Sequence, residues 1–392
     1  MHYDAVIIGA STSGFYTAEL LARAGLETAI FERESGIMPD HRTYIITPML
    51  NRVIEDLPKE LIRHKIEKIS VTAGEASRKI DLQKPDLVID RRELIQHLGR
   101  RARHAGAAIF TGMEFQAFRK GETYPRLIFK DQEGQERVMS ADTVIGADGA
   151  SSRVGREAGL LRPPSVPLLQ TKVNLPAGWD PSLTKVWFDL EKTRYFFWLI
   201  PESQNRGVVG LIGNPGSDLR GILDNFLDTL GVQADEYQSG QAALHHPRLR
   251  PQGQVGNTQV LLVGDAAGQV KVTTVGGTVT GLWGARAAAQ AVSERKDYRD
   301  LVQPLERELD LHWWIRALLE RMDQSDYRKM INRLTSPVTN FLARHDRDEM
   351  RGQFWKLPLL QPMFLPLGLK LLFRSPRFPK LTPKVQQGRY PS

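Results

Sequence analysis

The first 32 residues place apolar and polar positions in the order expected of a strand, a helix and a second strand. An apolar run occupies residues 5–8, a helical segment continues to Ala24, and a second apolar run ends before Glu32. Strands that alternate with helices predict a parallel sheet covered by helices. Gly9 and Gly14 lie between the first strand and the body of the helix, which predicts a tight turn at the carboxyl edge of that sheet.

A short apolar run at residues 143–145 predicts a second buried strand, which leads into a turn at Asp148 and Gly149. The helix that follows could hold phosphate through backbone N–H groups and a guanidinium. An amphipathic helix is predicted to begin at Arg91, and this arginine could reach the same phosphate groups. Each pattern alone has a simpler alternative, a hairpin turn for the first and a solvated helix start for the second.

A further apolar run at residues 261–263 leads into Asp265, whose carboxylate is an acceptor for a ribityl hydroxyl. Gly276 and Gly277 then open a helix. Glycines let main-chain N–H groups approach a ring system, and the helix N-terminus supplies positive partial charge. The alternative is an ordinary strand, turn and helix in which Asp265 caps the helix.

The segment from Gly9 to Glu32 resembles a dinucleotide-binding fingerprint. Gly9 makes the turn, Gly14 permits close packing of helix on strand, and Ser11 occupies the place of the middle glycine. Glu32 lies where an acidic residue receives ribose hydroxyls, which argues against a ribose 2′-phosphate. The neighbouring Arg33 is included among the predicted cofactor-binding residues.

The middle of the chain predicts an antiparallel sheet of four strands, at residues 171–175, 185–190, 195–200 and 207–212. Two-residue alternation puts Phe196 and Trp198 on one face and Phe197 on the other. Either face could be plain core. The alternative is that Phe196 and Trp198 line a substrate cavity.

These elements, in this order, resemble the FAD-binding framework of the aromatic-hydroxylase-like flavoproteins. Residues 264–282 resemble the geranylgeranyl reductase pattern GDAAGxVKPxTGGGIxxGL, with Val272, Val275 and Thr278 as departures. Residues 196–201 resemble the YxWxFP element of that family, and the helical C-terminal region is also similar. The resemblance implies FAD as cofactor and Trp198 in an apolar substrate channel.

The predicted fold class is α/β, with a Rossmann-type FAD-binding domain, an antiparallel substrate sheet and a helical C-terminal region. Residues 1–160 and 251–296 are assigned to a discontinuous FAD-binding domain. Residues 161–250 are assigned to the substrate domain, and residues 297–392 to the helical region with its basic and apolar tail.

Composition narrows the chemistry. The chain has 392 residues, no cysteine and a net charge of +8. No cysteine means no disulfide, thiolate nucleophile or iron–sulfur cluster. The first predicted strand begins at residue 4, which leaves no room for a secretory signal. The expected location is therefore the cytoplasm.

The positive charge is concentrated in the C-terminal tail. Residues 351–392 contain eight basic residues and no acidic residue, and residues 357–373 form an apolar run with three prolines. That run is too short and too interrupted to span a bilayer. It either lies on an anionic membrane surface or packs on the protein. Nucleic acid is a poorer explanation, because the tail has no recognisable nucleic-acid fold.

Candidates for a proton donor are His41, Tyr44 and Tyr195. The pair His245 and His246 precedes a proline without the carboxylate spacing of a metal site. We therefore predict no metal.

The leading hypothesis is an FAD-dependent reductase of carbon–carbon double bonds in a polyprenyl lipid, which draws electrons from NAD(P)H or a small redox protein. Alternatives are a flavin monooxygenase or halogenase, because residues 196–201 also resemble the halogenase WxWxIP element, and a redox-neutral enzyme like lycopene cyclase. A membrane-associated flavoprotein that transfers electrons or binds prenyl lipid is the non-catalytic alternative.

Overall fold

The computed structural model describes residues 1–374, which form strands and helices throughout. In chain order the strands are β1 His2–Ile8, β2 Thr28–Phe31, β3 Thr43–Ile46, β4 Ile62–Ala73, β5 Ala76–Asp90, β6 Ala108–Phe110, β7 Glu114–Arg119, β8 Arg126–Lys130, β9 Glu136–Gly146, β10 Ser165–Asn174, β11 Leu183–Trp187, β12 Phe197–Pro201, β13 Arg206–Ile212, β14 Tyr237–Ala243, β15 Gln252–Val255 and β16 Thr258–Leu262. The helices are α1 Thr12–Arg23, α2 Leu50–Val53, α3 Arg91–His104, α4 Arg153–Glu157, α5 Leu219–Leu230, α6 Thr278–Ser293, α7 Tyr298–Leu319, α8 Gln324–Asn332, α9 Ser336–Arg344, α10 Leu357–Leu360 and α11 Phe364–Leu372.

The first sheet contains the predicted βαβ unit. Its main path runs β15-β16-β9-β1-β2-β6, and β7 and β8 attach as a ribbon to β9. The strands from β16 to β6 pair in parallel, with Val6 opposite both Ala29 and Val144. Helices α1, α3, α6 and α7 cover one face, and the aromatic side chains of the ribbon, Phe115 and Phe129, pack on the other. The carboxyl ends of β1, β9 and β16 therefore meet at one edge.

The second sheet runs β14-β10-β13-β12-β11-β4-β5-β3. It contains the four predicted strands, as β10 to β13. These four strands pair antiparallel with one another, as expected. The whole sheet is mixed, because β11 also pairs in parallel with β4, with Leu183 opposite Lys68. In addition, β3, β4 and β5 come from residues 43–90, a range assigned above to the FAD-binding domain. The long hairpin of β4 and β5 extends across that boundary, so the sheet includes more of the chain than residues 161–250.

The two faces of β12 alternate as predicted. Phe197 is buried on the face that packs against α5, where its ring stacks on Phe226 at 4.2 Å. Trp198 lies on the opposite face with Ile200 and Val208. That face looks toward the first sheet.

Helices α8 and α9 pack against the β4–β5 hairpin. Helix α11 joins the same region, where Leu367 and Leu371 pack near Tyr327 and Ile331. Across residues 1–374, every helix is too short or too polar to cross a membrane. Four basic residues of the C-terminal tail lie outside the described residues: Arg377, Lys380, Lys384 and Arg389.

Candidate active site

A cavity of about 600 Å³ lies between the two sheets. One side, here the turn wall, is formed by the turns at the edge of the first sheet and includes Ser11, Gly149, Asp265, Gly276 and Gly277. The other side, here the sheet wall, is the inward face of the second sheet and includes Ile69, Val71, Ile80, Val186, Phe196 and Trp198. The cavity thus joins a surface rich in backbone N–H groups to an apolar surface.

The turn after β1 is packed so closely that only glycine fits at two positions. A Cβ at Gly14 would lie 2.1 Å from the Gly9 carbonyl oxygen, and one at Gly9 would lie 2.5 Å from the Ala147 carbonyl oxygen. Gly9 also has φ +106°, a conformation that other residues rarely adopt. Ser11 caps α1 by accepting a hydrogen bond from Gly14 N at 3.1 Å. The helix therefore begins directly at the cavity.

Glu32 ends β2 beside this turn. Its Oε2 accepts a hydrogen bond from Ala10 N at 2.8 Å, and its Oε1 accepts one from Glu34 N at 3.0 Å. The carboxylate is thus fixed by backbone N–H groups near the start of α1. Arg33 is exposed and pairs with Glu34 at 3.1 Å, and it does not line the cavity.

Asp148 and Gly149 have different roles in the second turn. Asp148 Oδ2 accepts from Arg153 N at 2.6 Å and from Val154 N at 3.1 Å, so its carboxylate caps α4. Burial raises the pKa of Asp148, and these hydrogen bonds oppose the rise. Gly149 itself lines the cavity. The Arg153 guanidinium, expected to hold phosphate, instead bonds to the Phe115 carbonyl at 2.8 Å.

Asp265 is the partly buried carboxylate of the turn wall. Its Oδ2 accepts from Ala243 N at 3.2 Å. Burial raises the pKa of Asp265, and Arg91 and Arg42 oppose the rise. A Cβ at Gly277 would lie 3.5 Å from Asp265 Oδ1. Gly277 is the residue before α6 and has no side chain to cap the helix. The first N–H groups of α6 therefore lie at the cavity without a side-chain acceptor.

Arg42 joins Arg91 on the cavity lining. The Arg42 carbonyl accepts from Arg91 N at 2.8 Å, which brings the two arginines together. The Arg42 guanidinium donates to the Ser239 carbonyl, while its Nε is buried and has no partner within the described residues. A buried N–H donor without a partner is costly, so this atom is available to an anionic or carbonyl ligand. Arg42 was not among the predicted cofactor-binding residues, although its place in the loop with His41 and Tyr44 makes it a candidate for a phosphate clamp.

Only one of the three candidate proton donors lines the cavity, and it is Tyr44. His41 lies apart from the lining and its Nδ1 is 3.0 Å from Asp90 Oδ2. Tyr195 is buried beneath the Arg316 guanidinium, 3.8 Å from the ring centre, and burial raises its pKa. The structure therefore separates His41 and Tyr195 from the predicted site.

One buried and one half-buried ion pair line the cavity beyond the turn wall, a feature that the sequence did not predict. In the first pair, Lys271 contacts Asp348, and Thr47 donates a hydrogen bond to Asp348 Oδ2 at 2.5 Å. In the second pair, Arg347 donates to Asp86 Oδ2 at 2.5 Å. These five residues are called the charged cluster. Burial opposes ionisation of Asp348, but Lys271 nevertheless holds its pKa below the usual range. Burial raises the pKa of Asp86 in spite of Arg347.

The charged cluster connects distant parts of the chain. Lys271 belongs to the loop before α6, Thr47 follows β3, Asp86 lies in β5, and the segment with Arg347 and Asp348 follows α9. Of these residues, only Lys271 could have been identified as functional from the sequence, by its place in the glycine-rich motif. Nothing local in residues 345–350 indicates that they meet this loop.

His245 and His246 each contact a residue of α7. His245 Nε2 is 2.8 Å from Asp310 Oδ1, and the His246 ring contacts Trp313 edge to face. No group of three or more metal-ligating side chains occurs among residues 1–374. These histidines connect a loop to α7.

Comparison with known proteins relates both the sequence and the fold to flavoproteins. The profile of the FAD binding domain family matches residues 2–212. Digeranylgeranylglycerophospholipid reductase 1 of Methanopyrus kandleri is 27% identical over 86% of this chain and 95% of its own length. Geranylgeranyl diphosphate reductase of Rhodobacter capsulatus is 29% identical over 74% of this chain and 75% of its own length. A geranylgeranyl bacteriochlorophyll reductase-like protein from Thermoplasma acidophilum superposes with a TM-score of 0.78 at 20% identity, over 93% of this chain and 99% of that one.

The turn wall fits FAD. The tight turn at Gly9 and Gly14 admits no Cβ, and the residues between them at the start of α1, 11–13, line the cavity. The buried Arg42 Nε has no partner in the described part of the chain. Backbone N–H groups and arginines suit a pyrophosphate. The chain is similar to geranylgeranyl reductases; it belongs to the FAD binding domain family and is an FAD-dependent oxidoreductase.

Proposed function

We propose that the protein reduces carbon–carbon double bonds in the polyprenyl chain of a geranylgeranyl-type lipid. The observation that carries the proposal is the continuity of the cavity, in which the glycine turns of the cofactor side face an apolar sheet wall. A reactive ring held at the turns would then lie beside a surface suited to a hydrocarbon chain. The names of the related reductases support the same substrate class.

Bound FAD in its reduced form would supply the hydride, and the electrons would come from NAD(P)H or a small redox protein. We propose that Gly9, Ser11, Gly14, Glu32 and Gly149 hold the nucleotide portion through main-chain and carboxylate contacts. Arg42 and Arg91 would neutralise phosphate. Asp265 and the α6 N-terminus at Gly276 and Gly277 would hold the ring end, where positive partial charge stabilises an anionic reduced ring.

The sheet wall would orient the prenyl chain and exclude water. Phe196 and Trp198 lie side by side on it with ring centres 6.1 Å apart. Their rings offer a large apolar surface without a charged group. A prenyl chain that lies along this wall would present its double bonds toward the turns.

Each reduced double bond also gains a proton, and we propose Tyr44 as the donor because it alone of the candidates contacts the cavity. Replacing Tyr44 with Phe should lower the rate of saturation about tenfold or more while FAD occupancy stays unchanged. Tyr195→Phe is the matched control and should leave the rate near wild type. An unchanged rate in Tyr44→Phe would assign the proton to another group.

The direct test is incubation of the dithionite-reduced, FAD-loaded protein with a detergent-dispersed geranylgeranyl lipid. Mass spectrometry should detect gains of two hydrogens per reduced bond. A cavity-filling variant, Val186→Trp, should lower turnover about tenfold without loss of FAD, because Val186 belongs to the sheet wall. Lys185→Met, on the other face of the same strand, is the control. If no prenyl lipid is saturated, and oxygen consumption accompanies product instead, the protein is a monooxygenase or halogenase.

A further inference from the structure

Helix α11 carries two apolar faces, of which one is buried. Leu367 and Leu371 pack into the core around Tyr327, whereas Leu365, Leu369 and Leu372 are 56%, 57% and 64% exposed. The exposed leucines follow one another at spacings of four and three residues, so they form a single stripe. Both faces of this helix are therefore hydrophobic, and only one has a partner within the described residues.

The exposed stripe extends beyond α11. Leu359, Met363 and Phe373 are 69%, 51% and 89% exposed. Together with Leu365, Leu369 and Leu372 they define the C-terminal apolar face. Exposed large apolar side chains concentrated in one segment usually mark an interaction site.

Ion pairs fix α11 to the body of the protein, so this exposure belongs to the folded structure. Lys370 Nζ is 2.8 Å from Asp326 Oδ1, and Arg374 Nη1 is 2.5 Å from Asp326 Oδ2 and 3.1 Å from Asp323 Oδ2. Arg321 Nε also donates to the Arg374 carbonyl at 3.0 Å. Asp326 is fully buried and holds both cations, which keeps the buried leucines seated and the other leucines outward.

The C-terminal segment of the sequence that includes this face is basic. From residue 351 to the end of the chain there are eight basic residues and no acidic one, and four of the basic residues follow directly after Arg374. Lys370 and Arg374 are engaged by acidic partners, and the segment contains six further basic residues. Such a surface favours an anionic, apolar partner and opposes self-association, since a second copy would bring like charges together.

We propose that the C-terminal apolar face docks the protein on the surface of a bilayer that contains anionic lipid. The leucine stripe and Phe373 enter the interfacial region, while the basic residues contact lipid phosphates. No helix of residues 1–374 can span the bilayer, so the contact is with its surface. This proposal goes beyond prenyl reduction and does not depend on it.

The test uses the full-length, FAD-loaded protein and co-sedimentation with vesicles. Wild type should bind phosphatidylcholine vesicles that contain phosphatidylglycerol, and binding should weaken with salt and with removal of the anionic lipid. The triple variant Leu365→Gln, Leu369→Gln, Leu372→Gln should bind about tenfold more weakly. The double variant Met38→Gln, Val138→Gln, which changes exposed apolar residues elsewhere, should bind like wild type.

Flavin absorbance and thermal unfolding show whether the triple variant is folded. Equal sedimentation of wild type and the triple variant would overturn the proposal. Dimerisation of the wild type without vesicles, lost in the triple variant, would assign the face to a second copy and would also overturn it. Saturation of a detergent-dispersed prenyl lipid is measured separately, so failure of prenyl reduction and failure of docking give different results.

Discussion

The turn wall and the sheet wall of the cavity are built in different ways. Each turn of the turn wall is a short stretch of sequence at the end of a parallel strand, and at Gly9, Gly14 and Gly277 there is little room for a side chain. The sheet wall collects side chains from β4, β5, β11 and β12, which are far apart in sequence. The cofactor side is thus determined locally, whereas the substrate side depends on how distant strands pair. Variants on the two walls should therefore fail differently.

The largest effect is expected at the tightest point of the turn wall. Replacing Gly14 with Ala puts a Cβ 2.1 Å from the Gly9 carbonyl oxygen, and backbone cannot give way there as a side chain would. We expect a loss of more than about 5 kcal/mol in the free energy of unfolding, the range reserved for severe steric or core defects. Little FAD-loaded protein should accumulate on expression.

The matched control is Gly36→Ala, because a Cβ there meets only Met38 Cγ at 3.8 Å. FAD content and Tm should stay close to wild type in that variant. Normal yield and normal FAD content of Gly14→Ala would mean that the turn is more adaptable than its packing indicates.

The second largest loss of stability is expected in the charged cluster, which lies on the cavity beyond the turn wall. Lys271→Met leaves Asp348, which is 1% exposed, without its cation. Loss of one partner of a buried pair costs about 3–5 kcal/mol, and urea unfolding should detect it. The double variant Lys271→Met, Asp348→Leu removes both charges and should recover most of this loss.

An exposed ion pair gives the comparison. Arg119 and Glu136 are 2.8 Å apart with side chains 59% and 43% exposed. Removing Arg119 should cost less than about 1 kcal/mol. If Lys271→Met costs no more than this, the cluster contains solvent and does not hold the C-terminal segment against the cavity.

A smaller effect with a defined pH dependence is expected at Asp265. Burial raises its pKa in the folded protein above the ordinary value of 3.8, so its contribution is favourable at low pH and is lost as pH rises through the folded pKa. Asp265→Asn removes that loss. The FAD-free variant should have a Tm about 2 °C above FAD-free wild type at neutral pH, and the difference should vanish toward pH 4.

The same substitution should weaken FAD binding, because a charged acceptor forms the stronger hydrogen bond. A fall of about tenfold in affinity is expected by flavin fluorescence titration. Greater stability with weaker cofactor binding would identify a carboxylate kept for function. If stability and affinity fall together, Asp265 serves mainly the fold.

The turn wall could be predicted from the sequence to a large extent. Gly9 and Asp265 lie within two residues of the end of an apolar run, so their position at the sheet edge follows from the pattern. The sequence did not predict the orientation of side chains near these turns. Asp148 lies in its expected turn, but its carboxylate caps α4. Arg33 likewise lies beside Glu32 but turns to the surface.

The sheet wall and the charged cluster could be predicted only in part. Alternation within β12 correctly separated Phe197 from Trp198, because both positions lie in one strand. The parallel pairing of β11 with β4 and the contact of Lys271 with Asp348 join residues far apart in the sequence. A single sequence carries no local signal for such contacts. Tyr195 was misplaced for the same reason, since Arg316 covers it from α7.

The smallest predicted effect concerns Val275, where this chain departs from the triple glycine of related sequences. Val275 has φ +53°, a left-handed conformation that costs a side chain about 1–2 kcal/mol and is most unusual for a β-branched residue. Elsewhere, Gly is less stable than Ala by about 0.5–1 kcal/mol because it loses more chain entropy on folding. At position 275 the order should reverse, so Val275→Gly should be more stable than Val275→Ala by about 0.5–1 kcal/mol in chemical unfolding. Both variants remove the same cavity-lining side chain, so their difference isolates the backbone. The usual order, with Ala above Gly, would mean that the loop relaxes out of the left-handed conformation and that the turn wall is less rigid here than at Gly9 and Gly14.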